Sequence, residues 1–197
     1  MIKAIIFDYG GVFSKEADLH KFADHYAPKY GIDPKKFGDE MYEYWQKAKV
    51  NKINSALFFE HLAGQLDVDV DEFTEYFIHW FGFDEEIKEF VASLQGRYKL
   101  GLLSNQIEIW LETLLDHHDI RRLFDVITTS YNEGIAKPDP KIYKRAMKAL
   151  GVKPEECVFI DDLERNIKPA EKLGMKVVTY KGLKDLKKRL VEFGITL

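Results

Sequence analysis

A doubly wound α/β fold, with a parallel sheet at its core and a helical insertion after the first strand, is the class this sequence predicts. Short apolar runs rich in branched residues alternate with amphipathic stretches of helical length, the pattern of strands joined by crossover helices. The alternation breaks once, from Ser14 to about Phe83, where only helical patterns occur. The length of 197 residues fits one domain carrying a smaller insertion, at about 100–200 residues per domain.

The strand candidates are Ile2–Phe7, Leu100–Leu103, Val126–Thr128 and Val158–Ile160, with Lys176–Thr179 a weaker fifth. Runs this short and this apolar read as parallel strands buried on both faces. Within the insertion, Ser14 is placed to cap a first helix, Asp33-Pro34 to start a second, Asn54 or Ser55 a third, and Asp69 or Asp71 a fourth. The segment holds more than half of the aromatic residues, Tyr26, Trp45, Phe58, Phe59, Tyr76, Phe77 and Trp80 among them. Most of these suit the interior of a small helical bundle, and a few can line a pocket at the boundary with the sheet. Further helices are expected over Ile107–Leu115, Pro140–Leu150 and Asn166–Leu173. Asp139-Pro140 caps and starts one of them, and Gly151 and Gly174 end two. The expected division is a discontinuous core, residues 1–13 and 84–197, and an α-helical unit, residues 14–83.

Composition excludes several classes. With 46% hydrophobic and 31% charged residues the chain is that of an ordered globular protein. Lys and Arg number 29 against 33 Asp and Glu, a net charge of −4, which argues against a nucleic-acid or anionic-membrane surface. Cys157 is the sole cysteine, so no internal disulfide forms, which suits a reducing compartment. The first apolar run stops at Asp8, too short for a signal peptide or membrane span. The expectation is a cytoplasmic protein, monomer or homodimer. The six histidines form no independent site; His20 and His25 are placed where the insertion can meet a ligand, but surface or packing roles are the favoured reading for both. The basic stretch Lys184–Arg189 reads as a solvated helix face.

Ligands of open parallel sheets bind at the carboxyl ends of the strands, so the residues that follow each strand carry the chemistry. They are Asp8-Tyr9-Gly10-Gly11, Ser104-Asn105, Lys137-Pro138 and Asp161-Asp162 with Asn166. Each has a plain alternative as a turn residue, a helix cap or a solvated lysine. Together they bring three carboxylates, a hydroxyl and a lysine to one edge. Carboxylates that close repel unless a cation lies among them, and oxygen ligands with water suit Mg²⁺. A lysine and strand-end amides beside that metal make a receptor for a phosphate dianion. Asp8, on a tight glycine turn, is then positioned as a nucleophile able to form an aspartyl phosphate.

These residues resemble the four motifs of the haloacid dehalogenase-like hydrolase superfamily, in order: Ile-Phe-Asp8-Tyr-Gly-Gly-Val, Leu-Leu-Ser104-Asn105, Lys137-Pro138, and Phe-Ile-Asp161-Asp162 with Asn166. The insertion resembles the helical cap of the family's C1 class, on a Rossmann-like core. The resemblance implies Mg²⁺-dependent hydrolysis of a small phosphorylated metabolite. Asp8 would attack phosphorus and ligate the metal together with the Gly10 carbonyl, Asp161 and Asp162. Ser104, Asn105 and Lys137 would hold the transferring group, with Asn166 in support. One position departs from the common Asp-x-Asp-Gly pattern: Gly10 stands where the second Asp protonates the leaving oxygen and activates water. Branches with Gly there resemble sugar-1-phosphate phosphatases, whose anomeric leaving group needs less protonation. Three other readings stand beside this one. A 2-haloacid dehalogenase uses the same Asp without metal, but its motif has Tyr two residues after Asp, not one. A phospho-acceptor receiver domain carries its acidic pair at the first strand. A non-catalytic binding protein would have lost turnover with the second Asp.

Overall fold

The apolar run at the start of the chain forms β1 (Ala4–Phe7), all four residues of which are buried, and this strand becomes the centre of the sheet. The computed structural model describes all residues, 1–197. The other strands are β2 (Lys99–Ser104), β3 (Val126–Thr129), β4 (Cys157–Asp161) and β5 (Lys176–Thr179). Their order across the sheet is β3-β2-β1-β4-β5, every pair parallel. The register places Phe7 beside Leu102 on one side and Ile160 on the other. Asp8, Ser104 and Asp161 therefore end neighbouring strands at the same edge. The chain reverses its direction of travel across the sheet after β3, so the switch point lies between β1 and β4.

Between β1 and β2 lie α1 (Leu19–Tyr26), α2 (Pro34–Ala48), α3 (Ser55–Leu66), α4 (Val70–Trp80) and α5 (Glu85–Leu94), and no strand. Asp33, Asn54 and Asp69 cap α2, α3 and α4 as their spacing predicts. Ser14 does not cap α1. That helix starts later, with the Asp18 carboxylate accepting from the His20 amide, and the Ser14 hydroxyl instead accepts from Gly11 N–H at 3.1 Å. A short side chain after two glycines satisfies the nearest free amide, which here belongs to the turn.

The remaining helices are α6 (Glu108–His117), α7 (Ser130–Glu133), α8 (Pro140–Leu150), α9 (Glu164–Lys172) and α10 (Leu183–Glu192). α9 begins two residues before its predicted start, because the Asp161 carboxylate takes the Leu163 amide and turns the chain early. On one face of the sheet α8 packs through Ile142, Tyr143, Ala146 and Met147. The other face shares one continuous apolar cluster with α1–α6, running from Phe7 through Phe13 to Phe22, Phe58 and Phe77. No helix is long and apolar enough to cross a membrane.

Candidate active site

The strand edge gathers Asp8, Asn105, Lys137, Asp161, Asp162 and Asn166 into one constellation. Lys137 Nζ lies 2.7 Å from Asp8 Oδ1 and 2.7 Å from Asp161 Oδ2, with its side chain wholly out of solvent. Burial works against that ammonium, but Asp161 and Asp8 outweigh it, so its pKa is raised. Asp8 Oδ1 also accepts from the Tyr9 amide at 2.7 Å, which leaves Oδ2 of the same carboxylate without a protein donor. Burial pushes the Asp8 carboxyl well above the usual range; Lys137 pulls it back, and Asp161 and Asp162 add to the rise.

Asp161 is 0% exposed, and both of its oxygens are engaged. Asn166 Nδ2 reaches each at 3.0 Å, and the Leu163 amide donates to Oδ1. Asn166 is held in turn by its own carbonyl, which accepts from the Tyr143 hydroxyl at 2.8 Å. Asp162 is half-buried, has no ammonium or guanidinium against it, and is pushed up to about 6 by burial and then by Asp161. Oxygens of Asp8, Asp161 and Asp162 lie within 4.8 Å of one another. Three carboxylates against one ammonium leave an excess of negative charge, and an all-oxygen donor set of this kind fits a hard divalent cation such as Mg²⁺.

The structure refines the other predicted residues. Asn105 is a clamp: its Nδ2 donates to the Lys137 carbonyl and its Oδ1 accepts from the Lys137 amide, each at 2.8 Å. Ser104 ends β2, buried, and does not itself line the cavity, whereas its neighbours Asn105 and Gln106 do. Gly10 has ordinary backbone geometry, whereas Gly11 has φ of +67° and a Cβ there would fall 2.4 Å from Asp162 Oδ2. Only glycine allows that approach.

The carboxylates open into a cavity of about 640 Å³ between the strand edge and the insertion. His20 lines it; His25 does not, being hydrogen-bonded to the Tyr76 hydroxyl at 2.9 Å. Trp45 lines it too, one of the aromatics expected at the boundary, whereas Lys49, Gln106 and Arg165 are among the lining residues that sequence reasoning did not single out. Trp45 Nε1 donates to Gln106 Oε1 at 3.0 Å, tying α2 to the loop after β2. A lone lysine at a helix end and a glutamine after a strand carry no local signal for such a placement.

Comparison with known proteins bears on the family and the fold. A sequence profile of the haloacid dehalogenase-like hydrolases matches residues 2–174. The glyceraldehyde 3-phosphate phosphatase of Pyrococcus furiosus is 29% identical over an alignment covering 91% of this chain and 81% of that protein. Acyl-CoA dehydrogenase family member 10 of Mus musculus is 43% identical over 58 residues, which are 29% of this chain and only 5% of the mouse protein. A HAD family enzyme of Bacteroides thetaiotaomicron, solved with magnesium and inorganic phosphate, superposes with a TM-score of 0.75 at 22% identity, covering 92% of this chain and 95% of that one. With the motifs in order, the parallel sheet and the matched span all in agreement, the chain belongs to the haloacid dehalogenase-like hydrolase family.

Proposed function

We propose that this hydrolase is a Mg²⁺-dependent phosphatase of small phosphorylated metabolites, sugar phosphates among them, working through an aspartyl phosphate. The observation that carries the reading is the placement of Lys137 between Asp8 and Asp161, which ties down one Asp8 oxygen and leaves the other available. Residues 14–83 act as the cap that walls the site, and their inner face sets substrate choice.

Asp8 Oδ2 attacks phosphorus as the phosphorus–oxygen bond to the leaving group breaks. Lys137 favours the ionised Asp8 and, with the Ser104 hydroxyl, holds the transferring phosphoryl group. Asn105 positions Lys137 through its backbone. Asp8, the Gly10 carbonyl, Asp161 and Asp162 are the residues that would hold Mg²⁺, with Asp162 the more open carboxylate and Asp161 oriented by Asn166. When bound, Mg²⁺ supplies positive charge that offsets the repulsion between carboxylates and phosphate. Water then attacks the phosphorus of the aspartyl phosphate, releasing phosphate and restoring Asp8. With glycine at position 10 no side chain there donates a proton to the leaving oxygen. Good leaving groups, such as anomeric or aryl oxygens, are therefore favoured. The archaeal relative's name supports a small phosphorylated substrate.

The test is a panel of phosphate esters, hexose 1- and 6-phosphates and glyceraldehyde 3-phosphate included, assayed with and without Mg²⁺ on wild type and Asp8→Asn. Phosphate release should need both the metal and Asp8. Halide release from 2-haloacids without metal would favour a dehalogenase instead. Full activity of Asp8→Asn would overturn the covalent mechanism.

A further inference from the structure

Lys49, the residue that follows α2, lines the cavity, yet it is only 8% exposed. No carboxylate lies within 4.0 Å of its ammonium. Its one close companion is the Trp45 ring, whose centroid is 4.2 Å from Nζ. The stem is buried and the ammonium faces the cavity with no anion against it, and burial, with help from Arg165 and Lys137, lowers its pKa to about 8. The acids of the same cavity do not neutralise it. Asp8 holds Lys137, Glu16 holds Lys21 at 2.7 Å, Asp18 caps α1, and Asp162 has no ammonium within 4.0 Å of it. Arg165 lines the cavity as well, exposed and without a carboxylate partner.

Two further donors belong to residues of the same cavity. Tyr9 Oη and Trp110 Nε1 are buried without a hydrogen-bond partner, and both residues line the cavity. Trp45, under Lys49, is itself anchored to Gln106, so the ammonium rests on a fixed platform. The transferring phosphate has its own receptor at the strand edge, and a cavity of about 640 Å³ is far larger than that group needs. We infer that Lys49 is a specificity-determining residue that binds a second anionic group of the substrate, a carboxylate or a second phosphate, on the part of the molecule that leaves. The inference rests on the phosphatase reading and narrows its substrate class to phosphate monoesters bearing another acid.

The test compares 3-phosphoglycerate, which carries a carboxylate, with glycerol 3-phosphate and p-nitrophenyl phosphate, which do not. Wild type should prefer 3-phosphoglycerate over glycerol 3-phosphate. Lys49→Met should lose about 10–100-fold in kcat/KM on 3-phosphoglycerate, mainly through KM, the range of a charge-assisted hydrogen bond. Its activity on the other two esters should stay nearly unchanged, and Lys49→Arg should restore part of the preference. Methionine fills a similar volume without the unpaired charge, so the variant should fold. Calorimetric binding of 3-phosphoglycerate to Asp8→Asn, with and without Lys49→Met, reads the same contact in the absence of turnover. An equal loss on all three esters would overturn the inference by assigning Lys49 to the transferring phosphate. A loss in kcat that grows as the leaving group worsens would overturn it by making Lys49 the general acid. Failure of wild type to hydrolyse any ester would remove the phosphatase reading, and the calorimetric pair would then decide the Lys49 assignment alone.

Discussion

Gly10 and Gly11 are adjacent and chemically identical, yet the turn after β1 uses them differently. Gly11 alone has a positive φ, and its hydrogen-only side allows the Asp162 carboxylate to lie where a Cβ would be. A Cβ on Gly10 would meet only Ala17 Cβ, at an ordinary 3.7 Å. Gly11→Ala is therefore expected to displace Asp162 and weaken Mg²⁺ dependence, shown as a rightward shift when hydrolysis is titrated with the metal. Gly10→Ala should leave that titration in place. Gly10→Asp should fold and speed hydrolysis of alkyl phosphates more than of aryl or anomeric ones, up to the ~10²–10⁴-fold of a positioned acid. If that folded variant keeps its metal affinity and shows no selective gain, protonation of the leaving group was never limiting. The sequence made both glycines legible as a turn but could not say which of them carries the strain, because φ depends on what packs beside it.

Two loops meet at the Asn105–Lys137 clamp, one after β2 and one before α8, and their side chain-to-backbone bonds do what no shared strand does. Asn105→Ala breaks both bonds and frees the backbone beneath Lys137. The expected result is a fall in kcat of about tenfold or more, at about 1–3 kcal/mol for an unsatisfied buried group, with a smaller effect on KM. Asn105→Asp keeps the acceptor for the Lys137 amide and should fall between. Equal rates in all three proteins would show that Lys137 is held by its carboxylates alone. At this scale much was readable in advance. The strands were recognisable because buried parallel strands are short apolar runs, and α2, α3, α4 and α8 because Asp or Asn precedes their first turn. Asn105 was legible as a polar residue at a strand end, but its pairing with Lys137, 32 residues on, is a tertiary fact. Ser14 was misread as a helix cap for a different, local reason: the amide it satisfies lies three residues before it rather than after it.

The insertion leaves and re-enters the core through two connectors that hydrogen-bond across each other's ends, Glu16 N–H to the Phe81 carbonyl at 3.0 Å and Asp84 N–H to the Phe13 carbonyl at 2.8 Å. Around them the aromatic residues of residues 14–83 continue into the core, with Trp110 of α6 against Phe77 and Phe81 at ring separations of 4.8 and 4.5 Å. That continuity was beyond the sequence, since an aromatic-rich helical segment reads the same whether it closes on itself or on a neighbour. It predicts one cooperative unfolding transition for the whole chain, with calorimetric and van't Hoff enthalpies in agreement. At the same seam Phe83, on the return connector, stacks on His118 with ring centroids 3.7 Å apart. Burial, and then the neighbouring His117, lowers the His118 pKa to about 4, with Glu85 opposing. The folded protein thus binds the His118 proton less readily than the unfolded chain, whose histidine titrates near 6.5. The stability this group contributes is complete above that value and is lost as pH falls through it toward 4. Wild-type Tm should therefore drop across this window more steeply than the Tm of His118→Gln, which has no proton to take up there. Parallel Tm curves for the two proteins would mean that His118 is protonated at the seam without cost, and the packing of Phe83 would not be what depresses it.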